Sequence, residues 1–255
     1  MPARRAIFVA PFDELSEPGR VLDLAIRAEE RGWDGFFVWD HLAYAPPVRA
    51  LADPWVTLAA IAVRTEKLII GPMVTPLARR RPHHLARETV TLDRLSGGRL
   101  VLGVGLGSAT SGEFAPERFG EEDDPKARAR LLDDGLGKLQ RYWSGGFEPR
   151  AIQEPSIPIW VASRWPSRRP LRRAARYNGL FPIELPGPDA LAELVAEVTE
   201  LRAEGPDQGG PFEIVTEQPA GADPEPWITA GATWCLTGFS SQPTVDQVRA
   251  AIDQA

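Results

Sequence analysis

From end to end the chain alternates between short apolar runs rich in strand-favouring residues and longer segments whose apolar residues recur every three to four positions. The runs are AIFVAPF (6–12), GFFVWD (35–40), KLIIGPMV (67–74), RLVLGVG (99–105), PIWVAS (158–163), GLFPIE (179–184), FEIVTEQ (212–218) and TWCLTGF (233–239), eight in all. Between them, RVLDLAIRAEERG (20–32) sets Val21, Leu24, Ala25 and Ala28 on one helical face and stops at Gly32. DPWVTLAAIAVRT begins with Asp53 as N-cap and Pro54 at the first helical position, and a further helix runs from Asp189 to a stop at Gly205. Strands separated by helices must lie parallel, because each return to the sheet needs a crossover. Eight such units predict a closed (β/α)8 TIM barrel rather than an open doubly wound sheet. Runs apolar on both sides fit strands that line a packed barrel on one face and lie under helices on the other.

At 255 residues the chain is within the range of one barrel with one core, so a single domain over 1–255 is expected. A formal charge of −6, from 29 basic and 35 acidic residues, offers no general attraction to a phosphate backbone, and nucleic acid is not an expected partner. The single cysteine, Cys235, has no disulfide partner within the chain and is expected to pack within the last strand. No apolar run reaches membrane-spanning length, and MPARRAIFVAPFDE lacks the cleavage site of a signal peptide. A cytoplasmic setting and no membrane partner are therefore expected.

In a barrel the C-terminal ends of the strands meet at one mouth, where barrel enzymes place their chemistry. That mouth collects Asp40 and His41 from the second run; Pro72, Met73 and Thr75 from the third; Leu106, Gly107 and Ser108 from the fourth; and Ser163, Arg164 and Trp165 from the fifth. No metal set is among them: His83 and His84 are adjacent at a helix start and lack the i, i+4 spacing of a helical metal pair. GVGLGSAT (103–110) lacks the third glycine of a dinucleotide fingerprint, and its glycines are read as letting a bulky ligand approach the rim, against a tight barrel corner as the alternative. There is no Gly-x-Ser-x-Gly elbow. An unrelated barrel aldolase or isomerase would need a lysine or carboxylate pair at this mouth, and Lys67 lies at the opposite end of its strand. The polar loop 108–125 on the same rim reads either as a lid or as a solvated crossover.

AEERGWDGFFVWDH (28–41), LIIGPMVTP (68–76), HLARETVTLDRLSGGRLVLGVGLG (84–107) and PIWVASRWPSRRPLRRAARYNGLFP (158–182) resemble, in order and spacing, the recurring blocks of the luciferase-like flavin- or deazaflavin-dependent oxidoreductases. The resemblance covers most of the chain, with a weaker echo in ITAGATWCLTGF (228–239). It implies a (β/α)8 barrel holding F420, or alternatively FMN, at its C-terminal mouth. It also implies a bulge at the end of the third strand, often with a cis peptide, pressed against the cofactor ring. Here the bulge would fall at Pro72-Met73, with Gly71–Pro72 as another candidate for the cis bond, and Thr75 beside the cofactor. By the same resemblance, His41 handles the proton next to the ring, with Asp40 or a backbone carbonyl setting its tautomer; a histidine's ordinary pKa of about 6.5 suits that task. Tyr44, Glu113 and Ser108 are held in reserve. Leu106, Gly107 and Ser108 would meet the ribityl and phosphate region, and Ser163, Arg164 and Trp165 would hold phosphate.

The family's sugar-phosphate dehydrogenases carry a catalytic glutamate where this chain has Ser108, which speaks against that activity. The expected function is hydride transfer between F420 and a small organic substrate. An FMN-dependent monooxygenase or reductase is the alternative, and a non-catalytic flavin- or ligand-binding barrel the second. F420 is preferred on the Asp40-His41 pair, the basic loop after the fifth run and a composition rich in Ala, Arg, Gly and Pro. Arg168, Arg169, Arg172 and Arg173 read as an exposed helix face more than as a tail-binding patch. A homodimer is expected from the resemblance and from Trp55 and Val56, apolar residues near a helix start that read as exposed. The loops after the fourth run and before the fifth are shorter than is common in the family, which widens the mouth or leaves it to a partner subunit.

Overall fold

Each of the eight runs becomes a strand in the computed structural model, which describes residues 2–108, 110–205 and 210–254. The strands are β1 (Arg4–Val9), β2 (Gly35–Val38), β3 (Ile69–Pro72), β4 (Thr75–Pro76), β5 (Leu102–Gly105), β6 (Ile159–Arg164), β7 (Gly179–Ile183), β8 (Glu213–Pro219) and β9 (Trp234–Gly238). Around them lie α1 (Pro18–Glu30), α2 (Pro54–Arg64), α3 (Pro82–Ser96), α4 (Pro116–Phe119), α5 (Pro125–Arg141), α6 (Arg169–Ala174), α7 (Pro188–Ala203), α8 (Glu225–Thr229) and α9 (Val245–Asp253). Of the expected loop at 205–211, residues 206–209 lie outside the described residues.

All strand pairings are parallel, in the order β3-β2-β1-β9-β8-β7-β6-β5-β4. Nine strands arise from eight runs because the third is broken: β3 pairs with β2, whereas β4 pairs with β5. The break holds a cis peptide at Met73–Val74, one bond beyond Pro72-Met73 and two beyond Gly71–Pro72, the positions expected from sequence. Closure is completed where the Ile70 amide donates to the Arg99 carbonyl and the Val101 amide to the Ile70 carbonyl, both at 2.9 Å.

Alternation along the strands divides the core in two. Ile7, Val9, Phe36, Val38, Ile70, Leu102, Val104, Val161, Leu180 and Cys235 face outward and pack under the helices. Phe8, Phe37, Met73, Val101, Trp160, Phe181, Val215, Trp234 and Leu236 face inward and fill the barrel. The lower interior is a cluster of aromatic rings, with Trp160 5.4 Å from both Phe37 and Trp234. With its floor packed, the barrel has space for a ligand only at the rim.

Local signals set the helices that frame this rim. Asp53 caps α2 by accepting from the Val56 amide at 2.9 Å, with Pro54 at the first position. Trp55 turns inward and is buried, contrary to the exposed position expected of it, while Val56 is 66% exposed. At the opposite end of the barrel, the buried Arg99 guanidinium donates to the carbonyls of Ala62, Thr65, Leu68 and Ser96, satisfying the otherwise unpaired end of α2.

Candidate active site

Past the end of β2 the extended chain keeps its alternation, so Trp39 and His41 face the mouth while Asp40 faces the helices. Trp39 packs on Phe8 and Phe12, each with ring centroids 5.9 Å away, and its buried Nε1–H has no hydrogen-bond partner among the described residues. Trp234 Nε1 in the packed floor is unpaired as well, but Trp39 stands at the mouth, where an acceptor from outside the protein can meet it. His41 lies against Phe12, Trp39 and Tyr44, and its side chain is 14% exposed. Its Nδ1 is 3.1 Å from Glu113 Oε1, close enough for an ion pair but off the line of a good hydrogen bond.

Glu113 comes from the loop before α4 and is fully buried. Its Oε1 accepts from the amides of Leu42 and Ala43, and its Oε2 accepts from Ser111 Oγ at 3.2 Å. Burial favours the neutral acid, but His41, Arg79 and the Leu42 amide outweigh it and hold the carboxyl below its ordinary range. Glu113 is therefore the ionised partner of His41. Only its place among the reserve candidates hinted at this, because it lies on a loop with no strand or helix period to place it.

Asp40 has other partners. One carboxylate accepts from Arg79 Nη2 at 2.7 Å, Arg80 Nη2 at 3.1 Å, Thr75 Oγ1 at 2.7 Å and Trp55 Nε1 at 3.0 Å. Burial pushes its pKa up, but the two guanidiniums and the two hydrogen bonds prevail and hold it below the usual value. This network binds the end of β2 to β4, α2 and the segment before α3, and explains the arginines that crowd the end of the third run. Thr75 is fully buried and its hydroxyl is committed to Asp40, not to the mouth.

Pro72 and Met73 are buried at the break between β3 and β4, with Met73 in the inner core and its amide donating to the Val38 carbonyl at 2.8 Å. The glycines of the fourth run make room for this bulge. A Cβ on Gly103 would lie 2.5 Å from Met73 Sδ, and one on Gly105 2.7 Å from Val74 Cγ2. Leu106, Gly107 and Ser108 follow, half-buried. The Leu106 carbonyl accepts from Arg128, Ser108 Oγ is 2.9 Å from Thr110 Oγ1, and Gly107, with φ +79°, lies under the Phe114 ring. The reading of Gly103 and Gly105 as space for a ligand is thus corrected: protein atoms fill that space.

At the end of β6, the buried Ser163 donates its hydroxyl to the Ser167 carbonyl at 3.2 Å, and the Trp165 amide donates to Ile183 at 3.0 Å. Arg164 is exposed and pairs with the exposed Glu184. Of the arginines beyond, Arg168 pairs with Glu193 and Arg173 with Asp133, while Arg169 and Arg172 are exposed. Cys235 is buried in the outer core, and the described residues contain no cluster of three or more His, Cys, Asp or Glu that could hold a metal.

The chain is thus a parallel β/α barrel with a histidine–carboxylate pair at its C-terminal rim. Residues 7–235 match the model of the luciferase-like monooxygenase family, and the chain belongs to that family. The F420-dependent glucose-6-phosphate dehydrogenase of Nakamurella multipartita is 34% identical over 140 residues, covering 50% of this chain and 38% of that protein. Its counterpart from Nocardia farcinica is 31% identical over 183 residues, covering 64% and 51%. The chain spans about half or less of the length of these curated relatives. Among solved structures, an F420-dependent secondary alcohol dehydrogenase in complex with an F420-acetone adduct superimposes with TM-score 0.79 at 18% identity, over 99% of this chain and 97% of that one. The F420-dependent tetrahydromethanopterin reductase from Methanopyrus kandleri gives 0.75 at 17%, over 100% and 98%. At these identities the likeness establishes the fold.

Proposed function

We propose that the protein is an oxidoreductase that binds F420, with FMN as the alternative, at the C-terminal mouth of its barrel and acts on a small organic substrate. The observation that carries this reading is the His41–Glu113 pair beside the unpartnered Trp39 Nε1–H at that mouth. The names of its relatives agree with it, and the F420-dependent ones favour the deazaflavin.

The residues at the ring end of the mouth fit such a group: Trp39 offers a donor, Phe8, Phe12 and Tyr44 offer apolar walls, and the Met73–Val74 bulge forms the base. When bound, the cofactor supplies or accepts a hydride. His41 transfers the matching proton at Nε2, the nitrogen left free by Glu113. Glu113 steadies the imidazolium form, and the aromatic walls exclude water from the reacting groups. Asp40 acts at one remove, by fixing the chain that carries His41. Leu106, Gly107 and Ser108 line the approach to the cofactor's side chain. Arg164 is the phosphate contact of choice, since an exposed ion pair such as that with Glu184 exchanges readily. Ser163 and Trp165 shape that loop, their hydroxyl and amide being engaged within the protein.

Separate titrations with F420 and FMN, followed by quenching of tryptophan fluorescence, test the proposal. Saturable quenching by F420, weakened in Trp39→Phe, is expected; quenching by neither cofactor overturns the reading.

The chain is proposed to work as one domain, in the cytoplasm, and as a homodimer. No helix among the described residues is long and apolar enough to cross a membrane. The surface between α2 and α3 exposes Val56 and Leu95 at a groove of about 720 Å³, which suits a second copy. Sedimentation at micromolar concentration should show a dimer that Val56→Glu dissociates.

A further inference from the structure

β7 and β8 share only the register pairs Gly179↔Glu213 and Leu180↔Ile214, whereas β8 and β9 stay paired from Val215 to Pro219. Beyond their short pairing the two strands part. A cavity of about 260 Å³ opens between their C-terminal ends, lined in part by Ile183, Glu184, Leu185, Glu217, Gln218 and Trp227.

Glu217 follows the inward-facing Val215 by two positions and so shares its face. Its side chain folds over Gly238, where an added Cβ would lie 2.6 Å from Glu217 Cγ; glycine at 238 leaves the room that this carboxyl occupies. The other carboxylates of the mouth are engaged: Asp40 with two arginines, Glu113 with amides and His41, Glu184 with Arg164. Among the described residues the Glu217 side chain takes part in no hydrogen bond or ion pair, and it is open to solvent. The charged groups nearest the cavity are Glu184 and its partner Arg164; α8 contributes the uncharged Trp227, while Gln218 and Thr216 bond to each other.

We propose that Glu217 is the specificity-determining residue of this mouth: it accepts a hydrogen bond from the hydroxyl or ammonium group of a small substrate whose body occupies the β7–β8 cleft, and it rejects phosphorylated substrates by like-charge repulsion. The inference rests on reading the mouth as the active site. Walls rich in apolar atoms push the Glu217 pKa up to about 7, so near neutrality the carboxyl is present in both forms. Either form accepts from a hydroxyl, and the ionised form adds attraction for an ammonium.

The test uses the full chain without added cofactor and three ligands of one shape: cyclohexylamine, cyclohexanol and cyclohexyl phosphate. Binding is followed by tryptophan fluorescence and ligand-observed NMR. At pH 8 the amine should bind the parent protein about tenfold or more tightly than the phosphate, as one charge-assisted contact allows. Glu217→Gln, confirmed as folded by circular dichroism, should bring the two within about threefold while cyclohexanol affinity stays close to the parent's. An absence of saturable amine binding, or the same preference in Glu217→Gln, overturns the proposal. F420 and FMN titrations on the same samples separate it from the reading beneath it: a preference that depends on Glu217 supports the inference even where neither cofactor binds. Cofactor binding without that preference overturns the inference alone.

Discussion

Asp40 and Glu217 stand at the ends of β2 and β8, on the same rim, and differ in almost every other respect. Asp40 turns outward under the helices, is 1% exposed and meets two guanidiniums, a hydroxyl and an indole N–H. Glu217 turns inward and meets none of these. Loss of hydration opposes ionisation at both, yet the partners around Asp40 bring its pKa below the usual value while Glu217, beside apolar walls, rises to about 7. A carboxylate saturated by its own protein holds structure together; one left unsaturated over a cavity is available to a ligand.

Removing the saturated group is the strongest way to break this contrast. Asp40→Ala leaves the Arg79 guanidinium, almost wholly buried, without its ion-pair partner and Arg80 with only Glu88 at 3.9 Å, and loss of one member of a buried ion pair typically costs about 3–5 kcal/mol. Denaturant titration should show that loss as a lower midpoint. The acid limb should move as well. Because Asp40 is depressed in the folded state, its stabilisation is complete above the unfolded value of about 3.9 and fades as pH falls through the lower folded value. Asp40→Ala should therefore narrow its stability gap from the parent in strong acid, and an unchanged gap would show that the network contributes little.

His41→Ala sharpens the comparison on the chemical side. General acid–base help is worth roughly 10²–10⁴ in rate, so turnover should fall by about that factor while cofactor affinity changes far less. Glu113→Gln should lower turnover in the same direction, whereas Asp40→Asn should act mainly on stability. Turnover at the parent rate in His41→Ala, with unchanged pH dependence, would assign His41 to packing.

Gly107→Val tests whether the rim after β5 is cofactor space or protein space. A Cβ there lies 2.6 Å from Phe114 Cζ, and φ is +79°, where a branched residue is disfavoured. Overpacking of this kind costs about 1–3 kcal/mol. The variant should lose stability in the absence of any ligand. A fully stable variant that has lost cofactor binding would instead return Gly107 to the cofactor.

The fold was legible because strand and helix periods are properties of contiguous sequence: the eight apolar runs give the barrel's strands, the third broken into β3 and β4, and the Asp53-Pro54 start of α2 holds to the residue. The candidate site was legible only as a set of strand ends. Asp40 and His41 are adjacent, and in extended chain adjacent side chains face opposite ways, so the pair that the resemblance implies cannot share one environment. The partner His41 does have, Glu113, arrives from 72 residues along the chain on a loop without periodicity, visible in sequence only as one acid in a polar stretch. Gly103 and Gly105 of β5 were misread for a related reason. Whether the space beside these two glycines holds ligand or protein depends on where Met73 and Val74 lie, and no local pattern encodes that.

The smallest effect in the comparison is at Glu217, and it has the opposite sign to Asp40. Its pKa is raised from 4.5 in the unfolded chain to about 7 in the folded one, so between those values the folded state binds more protons than the unfolded state. Stability must then fall as pH rises across that window, level off above it, and be unaffected well below it. Asp40 gives no compensating slope there, since both its states are ionised. Solvent reaches Glu217 from the mouth and screens part of the penalty, which keeps the effect below what full burial would give. Glu217→Gln removes the titration, so the variant should match the parent near pH 4.5 and exceed its stability at pH 8, by a margin that grows through the window. Paired denaturant titrations at pH 4.5, 6 and 8 check this. Parallel stability curves for the two proteins would mean that the carboxyl has found a partner in solution, and Glu217 would then join Asp40 among the saturated groups.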